Sequence, residues 1–119
     1  MTSYILTLHN APWSNQSVAT ACDFAEAAIS MGKEIKALFL YQDAVLNASS
    51  TLDIPSDEFN GGERLQALHQ KFGTKVLLCV TAASKRGLNQ DNIGKGYTIA
   101  GLAEFAEMTT ATDKVIQFK

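Results

Sequence analysis

Cysteine is scarce in this chain of 119 residues: there are two, Cys22 and Cys79. They form no C-x-x-C pair, which removes the thioredoxin-type dithiol. The two histidines, His9 and His69, have no partner at metal-ligand spacing, so no metal site is expected. Proline is limited to Pro12 and Pro55, and tryptophan to Trp13. Charge is also sparse: 18% of residues are charged, the net charge is -2, and the pI is about 5.6. Direct nucleic-acid binding wants a dense basic field, so it is not expected. No basic residue precedes Lys33, whereas a secretory signal starts with positive charge. The apolar runs are strand-length, too short to span a membrane. Few cysteines, no signal and no metal spacing make a reducing cytoplasm the default expectation. Repeats and low-complexity segments are absent too.

What is present fits one globular domain over 1–119. Hydrophobic residues make up 46% of the chain, and a domain of this length buries roughly 60–70% of its unfolded surface. TSYILTL (2–8) reads as a strand closed by His9-Asn10-Ala11-Pro12. Ser14, Asn15 and Ser17 offer helix caps. Val18, Ala21, Cys22, Ala25, Ala28 and Ile29 then fall on one helical face, opposite Asp23, Glu26 and Ser30, and Gly32 ends the helix. EIKALFLY (34–41) is a second strand. Residues 42–62 read as a polar loop, and 63–72 as a helix closed by Gly73. KVLLCV (75–80) is a nearly continuous apolar strand of the kind covered on both faces in a parallel sheet. Residues 88–97 read as a loop, YTIAGLAEFAEM (97–108) as a helix and DKVIQF (113–118) as a last strand. This alternation predicts an α/β fold, a mostly parallel sheet flanked by helices in the flavodoxin or Rossmann manner. In such sheets ligands gather beyond the carboxyl ends of the strands.

That rule points to the His9–Ser14 loop after the first strand, to Asp43–Asn47 after the second, and to Cys79 on the third. The bland reading of Cys79 is a core thiol, since free cysteine is among the most buried residue types. The functional reading rests on position: a thiol between a strand and a helical turn at Thr81–Lys85 faces backbone N–H groups, which favour thiolate. An ordinary thiol of pKa about 8.5 is only a few per cent thiolate at pH 7. Lys85 and Arg86 are candidate cations, although such residues are more often simply solvated. Asn47 and Thr81 are candidate rim residues because they follow strands. Cys22, mid-face on a helix, reads as core. His9 and Trp13 flank a strand-to-helix turn that offers an anion cradle; a satisfied loop histidine and a half-buried tryptophan are the preferred reading. His69 shares a face with Leu65 and Phe72 and reads as a partly buried helix residue. Gly94-Lys95-Gly96 fails as a phosphate loop, because Asn89 and Gly96 stand where Gly and Ser or Thr are needed. Asp57-Glu58 reads as a solvated acidic pair.

Four segments carry a resemblance: CDFAEAAISMGKEIKALFLYQDAVLNAS (22–49), SDEF (56–59), LLCVTAASKRG (77–87) and DNIGKGYTIAGLAEFAEMTTATDKVIQF (91–118). In this order and spacing the chain resembles the DsrE family of sulfur-relay proteins over nearly its whole length. The resemblance implies that Cys79 carries sulfur as a persulfide, with no cofactor. It implies an oligomer with paralogous TusB- and TusC-like subunits, a TusA-like sulfur donor and a TusE-like acceptor, towards 2-thiouridine in tRNA. Residues 42–62, with Val45, Leu46, Leu52, Ile54 and Phe59, are the expected contact region. Two other readings stay open: a structural subunit that carries no sulfur, and a flavodoxin-like module binding a small ligand or nucleotide at His9–Ser14.

Overall fold

The structure, a computed structural model, describes residues 2–14 and 16–119. Five strands alternate with helices: β1 (Ser3–Leu8), α1 (Ser17–Ser30), β2 (Glu34–Leu40), a 3-10 helix (Gln42–Ala48), α2 (Gly61–Phe72), β3 (Lys75–Cys79), α3 (Val80–Lys85), β4 (Tyr97–Ala100), α4 (Leu102–Thr110) and β5 (Lys114–Phe118). They form one sheet of order β4-β3-β2-β1-β5, and every pairing is parallel.

The period-2 alternation of each strand sorts its side chains to two faces. Leu6, Leu38 and Val76 lie side by side in register, and so do Leu8, Leu40 and Leu78. All six are buried. Over them α1 lays the helical stripe expected from sequence, Val18, Ala21, Cys22, Ala25 and Ala28, and α2 adds Leu65 and Leu68. Each fully buried Leu or Val contributes about 1.5–3 kcal/mol. On the opposite face Thr7, Phe39 and Leu77 form a row. Phe105 of α4 packs on Phe39 at 4.3 Å between ring centroids, yet no residue of α4 is fully buried.

Several expectations need correction. The stretch from Tyr97 is not all helix. Tyr97–Ala100 pairs with Val76–Cys79 as β4, and Gly101, extended at ψ 163, starts α4. Tyr, Thr and Ile favour a strand, and the bare edge of β3 supplies the partner that local periodicity does not show. The Tyr97 hydroxyl donates to the Gly62 carbonyl at 2.7 Å, fixing this edge to α2.

Residues 42–48 are a 3-10 helix, and Val45 and Ala44 are buried in the chain's own core rather than offered to a neighbour. The N-cap of α1 is Gln16, without a side-chain cap bond. Ser14 instead bonds back to the Ala11 carbonyl at 3.1 Å, and Asn10 donates to the Ser17 hydroxyl at 3.0 Å; Asn15 lies outside the described residues. Trp13 is 66% exposed, because the apolar residue this loop buries is Ala11. His69 is partly buried, with Nδ1 at 2.9 Å from the Thr74 carbonyl oxygen, but Phe72 points out to solvent. Gly73, at φ 72, takes the left-handed turn that ends α2.

A cysteine pocket at the carboxyl end of the sheet

One residue beyond the Leu8, Leu40 and Leu78 row, the strands bring up His9, Tyr41 and Cys79. The ladder continues there, with the Tyr41 N–H donating to the Leu8 carbonyl at 2.9 Å. The His9 and Tyr41 rings stack at 5.2 Å, 8° from parallel. Tyr41 is steadied from the other side by Phe39 at 4.7 Å and Phe105 at 5.6 Å.

Cys79 is both the last residue of β3 and the cap residue of α3. The backbone switches there from extended to helical at the end of the sheet, and the Cys79 side chain makes no capping hydrogen bond to α3. Cys79 is 5% exposed and forms the inner wall of a pocket of about 300 Å³. The other walls are Tyr41 and Gln42 after β2, Thr81, Ala82, Lys85 and Arg86 on and after α3, and Leu102 at the start of α4. Burial, and secondarily the adjacent Cys79, push the Tyr41 phenol above its ordinary pKa, so it meets the thiol as a neutral hydroxyl. Gln42 is the one non-glycine among the described residues with positive φ, at 47. Such a conformation costs on the order of 1 kcal/mol in an L-residue and tends to collect at functional sites.

The two cations differ. Arg86 is engaged: Nε and Nη2 both donate to Asp43 Oδ1, at 3.0 and 2.9 Å, and Nη1 donates to the Ala82 carbonyl at 3.0 Å. Its charge is matched by Asp43, the neighbour of Gln42. Lys85 lines the pocket and, among the described residues, forms no ion pair. Gly87, at φ 75, then reverses the chain and lets the Leu88 N–H reach the Ala83 carbonyl at 2.9 Å.

Of the residues singled out from sequence, Cys79, Thr81, Lys85 and Arg86 therefore converge, and Asn47 does not. Asn47 is buried, donates to the Ala44 carbonyl at 2.9 Å and fills the space left by the missing side chain of Gly61; it ties the 3-10 helix to α2. Its Oδ1 has no partner among the described residues. Tyr41, Gln42 and Leu102 went unread, whereas Asp43 opens the Asp43–Asn47 stretch expected after the second strand. The signal for the first two was there, since they follow the carboxyl end of β2.

Cys22 lies outside this pocket. It is fully buried, and burial pushes its thiol up to about 12. The imidazole of His9 is held below its ordinary pKa, first by burial and then by the Lys119 charge. Among the described residues no three His, Cys, Asp or Glu side chains group as a metal site, and no helix is long and apolar enough to cross a membrane.

A parallel α/β domain with one cysteine walled in at the carboxyl edge of its sheet defines a class of thiol-bearing domain, and comparison with known proteins gives its family. The model of the DsrE/DsrF-like family matches residues 2–118, and the chain belongs to that family. The sulfurtransferase TusD of Klebsiella pneumoniae is 31% identical, with 97% of this chain aligned to 98% of that protein. The TusD homolog of Vibrio cholerae is 35% identical, over 98% of this chain and 97% of its own. Among solved structures, the ychN protein from E. coli superposes with a TM-score of 0.87 at 27% identity, covering 99% of this chain and all of that one.

Proposed function

We propose that this chain is a sulfurtransferase that carries sulfane sulfur on Cys79. The observation that carries this reading is the Cys79 pocket itself, which has the one thiol of the chain facing an opening. The reading is also supported by relatives named sulfurtransferase TusD at 31–35% identity over nearly the full length.

The chemistry is displacement at sulfur, with the logic of thiol–disulfide exchange. The Cys79 thiolate attacks the outer sulfur of a donor persulfide. A Cys79 S–S bond forms, the donor S–S bond breaks, and the donor leaves as its thiolate. In the second step an acceptor thiolate attacks the outer sulfur on Cys79, and Cys79 leaves as thiolate. There is no net oxidation and no cofactor takes part. Lys85 lines the pocket and sets an ammonium beside the reacting sulfur. Tyr41 offers a hydroxyl as a hydrogen-bond donor, and Leu102 keeps one wall apolar. Thr81 and Arg86 shape the rim.

In this reading the donor is a TusA-like protein and the acceptor a TusE-like one. TusB- and TusC-like paralogous subunits complete the assembly, and the sulfur moves towards 2-thiouridine in tRNA. The chain itself makes no direct contact with nucleic acid. Incubation with a persulfidated donor protein, followed by intact-mass spectrometry, tests the assignment. One added sulfur is expected on the native chain and on Cys22→Ser, and none on Cys79→Ser. Retention of the added sulfur by Cys79→Ser refutes it.

A further inference from the structure

A second opening lies apart from the Cys79 pocket, between the loop after β1 and the segment leading into α2. It is a groove of about 550 Å³. Trp13, Ile54, Pro55 and Phe59 line it, together with Asp53 and Glu58. Trp13 is 66% exposed and Phe59 44%. Large aromatics left open in a cluster mark interaction surfaces. Both prolines of the chain, Pro12 and Pro55, stand in its walls. Their fixed φ stiffens two otherwise irregular segments, so less ordering is needed on binding.

The charged residues that line this groove, Asp53 and Glu58, are both acidic. Arg64 is taken by Asp23 at 2.7 Å and Glu26 at 3.1 Å. Among the described residues nothing pairs with Asp53 or Glu58.

We infer that this groove docks a basic segment of a protein partner, which sets a Lys or Arg side chain against Asp53 and Glu58 and an aliphatic side chain between Trp13 and Phe59. A small molecule is disfavoured, because ligand pockets enclose most of their ligand and this groove leaves its aromatics in solvent. A second copy in a two-fold contact is disfavoured too, because it sets acid against acid. A cation near the Trp13 face gains from the ring quadrupole as well as from the carboxylates. The 3-10 helix links the two openings: Gln42 lines the Cys79 pocket, and the chain runs on from Ala48 to the groove. A partner held there stands at the same end of the sheet as the thiol, but the docking does not depend on sulfur chemistry.

Trp13 is the single tryptophan, so its emission reports occupancy of the groove directly. The probe is a short end-blocked peptide alternating Lys or Arg with Leu, beside a control with Glu for every base. The basic peptide is expected to give a saturable blue shift, and the acidic control none. Asp53→Asn combined with Glu58→Gln is expected to weaken the apparent Kd by about three- to tenfold and to flatten its salt dependence. Both side chains are exposed, and circular dichroism checks that the variant stays folded. Equal responses to the two peptides, or an unchanged Kd in the variant, overturn the inference. An emission shift on concentrating the chain alone also overturns it, since a second copy then fills the groove. Sulfur loading of Cys79 is read separately by mass, so either result can fail without the other.

Discussion

Asp43→Ala should make Cys79 more reactive without unfolding the protein. The Arg86–Asp43 bond joins two walls of the pocket, one partner at the end of α3 and the other on the 3-10 helix next to Gln42. Its side chains are 27% and 59% exposed. A partly solvated pair of this kind is worth about 0.5–1 kcal/mol. If it holds the mouth shut, its loss raises the open fraction by about two- to fivefold. The rate of alkylation by iodoacetamide at fixed pH should rise by the same factor. Arg86→Met breaks the same bond from the other side and should raise the rate by a similar factor. Cys22 is an internal control: fully buried and with its thiol pushed up to about 12, it should stay unlabelled unless the whole domain opens. Raising the ionic strength of the native protein should move its rate in the same direction, because salt screens the pair. Unchanged Cys79 rates in both variants, with Cys22 silent, would refute the clamp.

Two further outcomes follow from the core and from the sheet edge. Cys22→Ser puts a hydroxyl among apolar side chains and should cost about 1–3 kcal/mol in a denaturant titration, with sulfur loading of Cys79 retained. Asp113 accepts from both the N–H and the hydroxyl of Ser3, at 2.8 and 3.1 Å, which hold its carboxyl below the ordinary 3.8. A depressed carboxylate stabilises the fold above its unfolded pKa and loses that contribution as the pH falls through the folded one. The native protein should therefore lose stability more steeply below about pH 4 than Asp113→Asn, as read by thermal melts; parallel curves would show that this bond contributes nothing.

The features legible in the sequence were those with a local cause. Short apolar runs of strand formers located β1, β2, β3 and β5, and helical spacing located the buried stripe of α1 with Cys22 in it. The place of Cys79 followed from reading β3 as a parallel strand running into a helical turn. The features that escaped depend on chain segments far apart. Tyr97–Ala100 runs into a helical pattern, and only β3, about twenty residues earlier, makes it a strand. Asp43 and Arg86 are 43 positions apart, so no window over the sequence pairs them. Asn47 follows a strand just as Tyr41 does, but the 3-10 helix rotates it towards α2, where two glycines leave room for it. Trp13 was expected to be half-buried; it stands in solvent, and Ala11 is the apolar residue this loop buries.

The register of β1 has a consequence for the chain as it leaves the ribosome. β1 pairs on one side with β2 and on the other with β5, and Ser3 is joined to Asp113, 110 positions later. At about 5–20 residues per second, roughly 5–20 s of synthesis separate the two. Through that interval β1 can acquire its β2 neighbour and its α1 cover, while its second edge stays bare. A bare edge with Ile5 and Leu6 beside it is the pairing surface that nascent chains in a polysome offer each other. Slow delivery of β5 thus leaves an interval during synthesis in which this fold is open to misassembly, and it gives a chaperone that masks strand edges its natural moment to act.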